Sequence, residues 1–127
     1  MKLFKNLSEA EQEIMDYLWD CTDSKTLGEL LEYFNQYEDK EWKSQTLSTF
    51  MTRLSEKGMV TWTVTGRIKH YYPLLTREEF ESEKAKGILD SMYNSSLKKF
   101  VATLYGGNKL SNDEVKELKE WLNKQEE

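Results

Sequence analysis

Side chains able to read the edge of a base pair gather in one short stretch: Gln45, Ser48, Thr49 and Thr52, lying between Lys43 and Arg53. Amides and hydroxyls both donate and accept, which suits the mixed pattern of the DNA major groove, whereas carboxylates would meet repulsion from the phosphates. The same stretch carries Leu47, Phe50, Met51 and Leu54 at i, i+3, i+4 and i+7, the spacing of one helix face. The outward side of such a helix is nearly uncharged, unlike an ordinary solvated face. Two further bases, Arg67 and Lys69, follow a turn glycine and are expected on one face, where they reach a phosphate or the adjacent minor groove. The plainer readings are a helix that is merely polar outward, or packed beneath another element, and a solvated hairpin with two stray bases.

The inventory for catalysis is poor. His70 is the single histidine and Cys21 the single cysteine, so no internal disulfide can form and a zinc site lacks ligands. No glycine loop suits a phosphate, and the acids are scattered over helix surfaces. No catalytic residue, metal or cofactor is expected. His70 reads as a packed or surface residue among Trp62, Tyr71 and Tyr72, and Cys21 as a small hydrophobe.

The net charge of -5 is unevenly spread: residues 1–39 carry -7, residues 40–70 carry +4 and residues 71–127 carry -2. One basic island between acidic flanks is the footprint of a chain with a single face for phosphate.

The elements that must position these residues follow from caps and periodicity. Four helix starts share a Ser or Thr followed three residues later by Glu: Ser8/Glu11, Thr26/Glu29, Thr76/Glu79 and Ser111/Glu114. The first predicts a helix to about Asp20 that buries Ala10, Ile14, Tyr17 and Leu18. The second predicts a helix to about Tyr37 that buries Leu27, Leu30, Leu31 and Phe34. The base-reading helix starts near Ser44, after the charged turn from Glu38 to Glu41, and stops before Gly58. Val60 to Val64 is β-branched and aromatic; the turn Thr65-Gly66 and a second arm from Arg67 to Tyr72 complete a hairpin closed by Pro73. Three short helices and a two-stranded wing are the winged-helix order.

Beyond Thr76 the pattern is helical. Ala85, Ile88, Leu89 and Met92 form one stripe and Leu97, Phe100, Val101 and Leu104 another. After a break at Gly106-Gly107 come Val115, Leu118 and Leu122, with Trp121 beside them. Three such helices have a broad apolar face and too little bulk to close a core alone, so burial against a second copy is expected. The fold class is mainly α with a small β wing: a winged helix-turn-helix DNA-binding domain over residues 1–75 and a helical dimerisation segment over residues 76–127. The 127 residues exclude a large catalytic domain. No run is long and apolar enough for a signal peptide or a bilayer span, so a cytoplasmic protein without a membrane partner is expected.

The run from Thr46 to Leu54, followed by Glu56-Lys57-Gly58-Met59-Val60, resembles the penicillinase-repressor and methicillin-resistance-repressor family, which also holds copper-responsive repressors. Upstream the resemblance takes in Leu7 to Glu11, Ile14-Met15 and Leu18-Trp19. Downstream it takes in Gly66-Arg67, Tyr71 to Leu74, Thr76 to Glu79, Leu97 to Phe100 and the stretch from Leu110 to Leu122. It implies a homodimeric winged-helix repressor on inverted repeats of the TACA/TGTA kind. The implied DNA contacts are Lys43, Gln45, Thr46, Ser48, Thr49, Arg53 and, in the wing, Arg67. Two departures concern induction. The Asn-Phe bond cleaved in the β-lactam-responsive members corresponds here to Thr103-Leu104, and the stretch from Trp121 to Glu127 lacks the paired Cys-x-Cys motifs of the copper-responsive members. The inducing protease or sensor is therefore left open. A winged-helix adaptor that docks a protein partner is the alternative function.

Overall fold

The computed structural model describes residues 6–106 and 109–126. Residues 1–5 of the amino-terminal stretch, and Gly107 of the Gly106-Gly107 break, lie outside them. The order is α1 (Glu9–Asp20), α2 (Leu27–Tyr37), α3 (Ser44–Glu56), β1 (Val60–Thr65), β2 (Ile68–Pro73), α4 (Arg77–Tyr93), α5 (Leu97–Leu104) and α6 (Asn112–Gln125). No described helix is long and apolar enough to cross a membrane. The chain divides into two compact units, Met1–Lys84 and Ala85–Glu127. The first extends beyond residue 75, where the sequence pattern divides the chain, because Phe80 in the opening turns of α4 is buried with its core.

Helix starts in the first unit follow the hydroxyl and glutamate pattern. Ser8 and Glu11 close a reciprocal box on α1, Thr26 and Glu29 do so on α2, and Thr76 and Glu79 trade the same bonds at the start of α4. The core draws Ile14, Met15 and Leu18 from α1, Leu30 and Phe34 from α2, and Leu47, Met51 and Leu54 from α3, closed over by Met59, Val60 and Tyr71. Two expected α1 core positions differ: Ala10 and Tyr17 are only half-buried, and Met15 takes the interior place. Tyr17 instead lays its ring on Tyr33 of α2, with centroids 3.7 Å apart. Leu27, Leu31 and Phe50 likewise sit half-buried at the margins of their stripes.

The hairpin pairs antiparallel from Val60↔Pro73 to Thr65↔Ile68. Its turn is Gly66-Arg67, one residue later than the Thr65-Gly66 turn read from sequence, with φ of 57° and 70° at the two residues. Positive φ at both central positions matches the twist of the flanking strands, which is why this pairing wins. An isolated bridge between Lys25 and Tyr71, with N–H···O bonds of 2.8 and 2.9 Å, ties the segment before α2 to β2. The Trp19 indole donates to the Leu75 carbonyl at 2.9 Å, and Arg77 pairs with Asp20 at 3.2 Å, fixing the start of α4.

In the second unit α5 is capped by Ser96 and α6 by Ser111. Tyr93 meets Phe100 edge to face, and the Tyr105 hydroxyl donates to Glu114.

Candidate nucleic-acid interface

α3 is held at both ends by polar clamps. At its start, the Asn35 side chain accepts from the Trp42 amide at 3.0 Å and donates to the Trp42 carbonyl at 2.9 Å, locking the turn between α2 and α3. The Trp42 ring sits between Phe34 and Phe50, at 4.9 and 5.2 Å. At its end, the C-cap residue Lys57 donates to Glu11 Oε1 at 2.6 Å and to the Asn6 carbonyl at 2.9 Å. Glu11 is buried and also accepts from the Ser8 amide at 2.7 Å. Burial pushes its carboxyl up, but the Lys57 ammonium and the Ser8 amide outweigh that and hold it below the ordinary carboxylate value. Sequence reasoning finds Glu11 as a cap but not as a clamp, and nothing in the spacing of Asn35, Trp42 or Lys57 signals a long-range partner.

Between these clamps Leu47, Met51 and Leu54 point into the core, while Lys43, Gln45, Thr46, Ser48, Thr49, Thr52 and Arg53 are all exposed. Gln45, Thr49, Thr52 and Glu56 follow one another at i, i+4, i+7 and i+11 along the outer crest. Of the six bases in the island, Lys40 is taken up by Glu13 at 2.8 Å and Lys57 by Glu11. Lys43, Arg53, Arg67 and Lys69 enter no ion pair among the described residues. The α3 start also departs from its neighbours: its N-cap is Lys43, whose side chain makes no capping bond, and its first turn holds no acid. The positive end of the helix dipole is thus left open beside a lysine.

Arg67 is exposed at the hairpin tip, inside the turn and not on the second arm, so strand alternation does not put it on one face with Lys69. Lys69 pairs with Val64 and lies diagonally from Trp62; its ammonium rests 4.3 Å from the Trp62 ring centroid. That cation–π contact holds the charge over an aromatic face without neutralising it. His70 is half-buried opposite Thr63. Among the described residues no group of His, Cys, Asp or Glu could hold a metal ion.

The apolar residues expected to join two copies are only partly hidden within the second unit. Ile88, Met92, Leu97, Leu104, Leu118, Trp121 and Leu122 are exposed, Trp121 at 56% and Met92 at 66%. Phe100, Val101 and Val115 are half-buried. Thr103 and Leu104 close α5 and both are exposed.

Similarity to known proteins agrees with this geometry. The family model described as penicillinase repressor matches residues 7–124. The methicillin resistance regulatory protein MecI of Staphylococcus aureus (strain N315) is 27% identical over 118 residues, covering 93% of this chain and 94% of that protein. The penicillinase repressor of Bacillus licheniformis is also 27% identical over 118 residues, covering 93% and 90%. Among solved structures, the DNA-binding domain of the repressor BlaI superposes with a TM-score of 0.52 at 26% identity, over 62% of this chain and 93% of that one. The Bacillus licheniformis BlaI monomer in complex with the blaP half-operator gives 0.50, at the same identity and coverage. With a winged-helix unit in place and a family match that runs from α1 through α6, the chain belongs to the penicillinase repressor family.

Proposed function

We propose that this protein is a homodimeric transcriptional repressor that occupies an inverted-repeat operator of the TACA/TGTA kind. The observation that carries the reading is the outer face of α3, lined by the Gln45 amide and several hydroxyls and flanked by bases that enter no ion pair among the described residues. α3 lies in the major groove, with Gln45, Thr46, Ser48, Thr49 and Thr52 toward base edges and Lys43 and Arg53 toward phosphates. Arg67 and Lys69 reach the backbone or the neighbouring minor groove. The half-operator complex of the structurally similar BlaI supports a DNA role for the same fold. The exposed apolar stripes of α4, α5 and α6 support pairing of two copies, which lets two half-sites be read together.

Gel-shift titration of a TACA/TGTA palindrome against a scrambled duplex, at several salt concentrations, tests the reading. Preference for the palindrome is expected, with affinity falling steeply as salt rises because phosphate contacts release counterions. Equal affinity for both duplexes would end the operator assignment, and salt-insensitive binding would favour a protein adaptor.

A further inference from the structure

The hydroxyls on the crest of α3 are not equivalent. Thr49 Oγ1 donates to the Gln45 carbonyl and Thr52 Oγ1 to the Ser48 carbonyl, each at 3.0 Å. The hydroxyls of Thr46 and Ser48 enter no hydrogen bond among the described residues. A hydroxyl owns one proton and two lone pairs. Once the proton is committed to the carbonyl one turn back, the oxygen has only acceptor capacity left to offer, with the γ-methyl beside it. Turning the proton outward would give up that bond, so Thr49 and Thr52 show the groove an acceptor and a methyl but no donor.

That combination matches one class of base pair. An A·T pair presents the adenine N6 amino group as a donor and the thymine C5 methyl as an apolar contact. A G·C pair also offers one amino donor, on cytosine, and as many acceptors as A·T, but it lacks the methyl, so the methyl beside the donor is what singles out A·T. We propose that Thr49 and Thr52 select A·T base pairs, each accepting from an adenine amino group and packing its methyl on thymine. The inference rests on the DNA-binding reading above and deepens it by assigning a base-pair class to two residues.

The test uses the full chain and duplexes it selects from a random-sequence pool. In the selected site, purine without its exocyclic amino group replaces each adenine, and uracil replaces each thymine. Thr49→Val and Thr52→Val keep shape and methyl but lose the acceptor; Thr49→Ser and Thr52→Ser keep the hydroxyl and lose the methyl. Wild type should lose about threefold to tenfold in affinity for each analogue at the contacted pairs. Each Val variant should become indifferent to the missing amino group at its own pair while still sensing uracil, and each Ser variant should do the reverse. All four variants are single-heavy-atom changes at two exposed positions, and thermal melting confirms that they are folded. Analogue sensitivity that is the same in every variant would overturn the threonine assignment and leave sequence-specific binding standing. A pool that yields no preferred site would overturn the DNA reading and this inference with it.

Discussion

The two compact units solve the problem of apolar surface in opposite ways. In the first, three helices and a hairpin converge on side chains such as Ile14, Leu30, Phe34, Leu47 and Leu54, all at 1% exposure or less. In the second, neither α5 nor α6 buries a single residue, and Leu104 and Trp121 stand more than half exposed. A unit with a closed core carries its own stability, whereas one with open stripes gains stability by mass action from whatever covers them. Under the proposed function, DNA reading falls to the self-sufficient unit, and the unit with open stripes sets the number of copies.

Breaking each unit at its centre should separate the two behaviours. Phe34→Ala removes a ring packed against Tyr17, Tyr33 and Trp42, and should cost about 3–5 kcal/mol in denaturant unfolding. Phe100→Asp or Leu118→Asp should leave the winged helix folded and yield monomers in sedimentation. Affinity for a two-half-site duplex should then fall by about 100-fold, with little change on a single half-site. Glu11→Gln should cost about 2 kcal/mol at neutral pH by dismantling a charged hydrogen bond in the first unit. Because the native carboxyl sits below its ordinary 4.5, the clasp contributes fully above that pH and fades as pH falls through the native value, so the variant should show a flatter acid limb in unfolding titrations. The smallest effect has two signs: Arg67→Asn should raise hairpin stability by up to about 1 kcal/mol, since Asn tolerates positive φ better. The same change should weaken binding to specific and scrambled duplexes alike.

Much of the fold can be read along the chain because it is written in local rules. The boxes at Ser8, Thr26 and Thr76 place helix starts, Gly58 stops α3, and the run from Val60 to Pro73 announces the hairpin. The outward set on α3 follows from periodicity once Leu47, Met51 and Leu54 are assigned inward. What local rules miss depends on partners far away in sequence. Lys57 reaches Glu11 across 46 positions, Phe80 joins the first unit, and Lys25 bridges to Tyr71. The turn register failed for a related reason: pairing of Thr65 with Ile68 across the ladder decides it, and an arginine at positive φ is a poor advertisement for a turn. The direction of the Thr49 and Thr52 protons is likewise a matter of helix geometry that composition cannot display.

The bare start of α3 has a consequence in time as well as in charge. Leu47 is the first of its amides to bond back along the helix, to the Lys43 carbonyl, and the amides of Ser44, Gln45 and Thr46 have no hydrogen-bond partner among the described residues. Deuterium should enter at those three amides first along α3, and an oxyanion laid across that end of the helix should slow its uptake there before anywhere else.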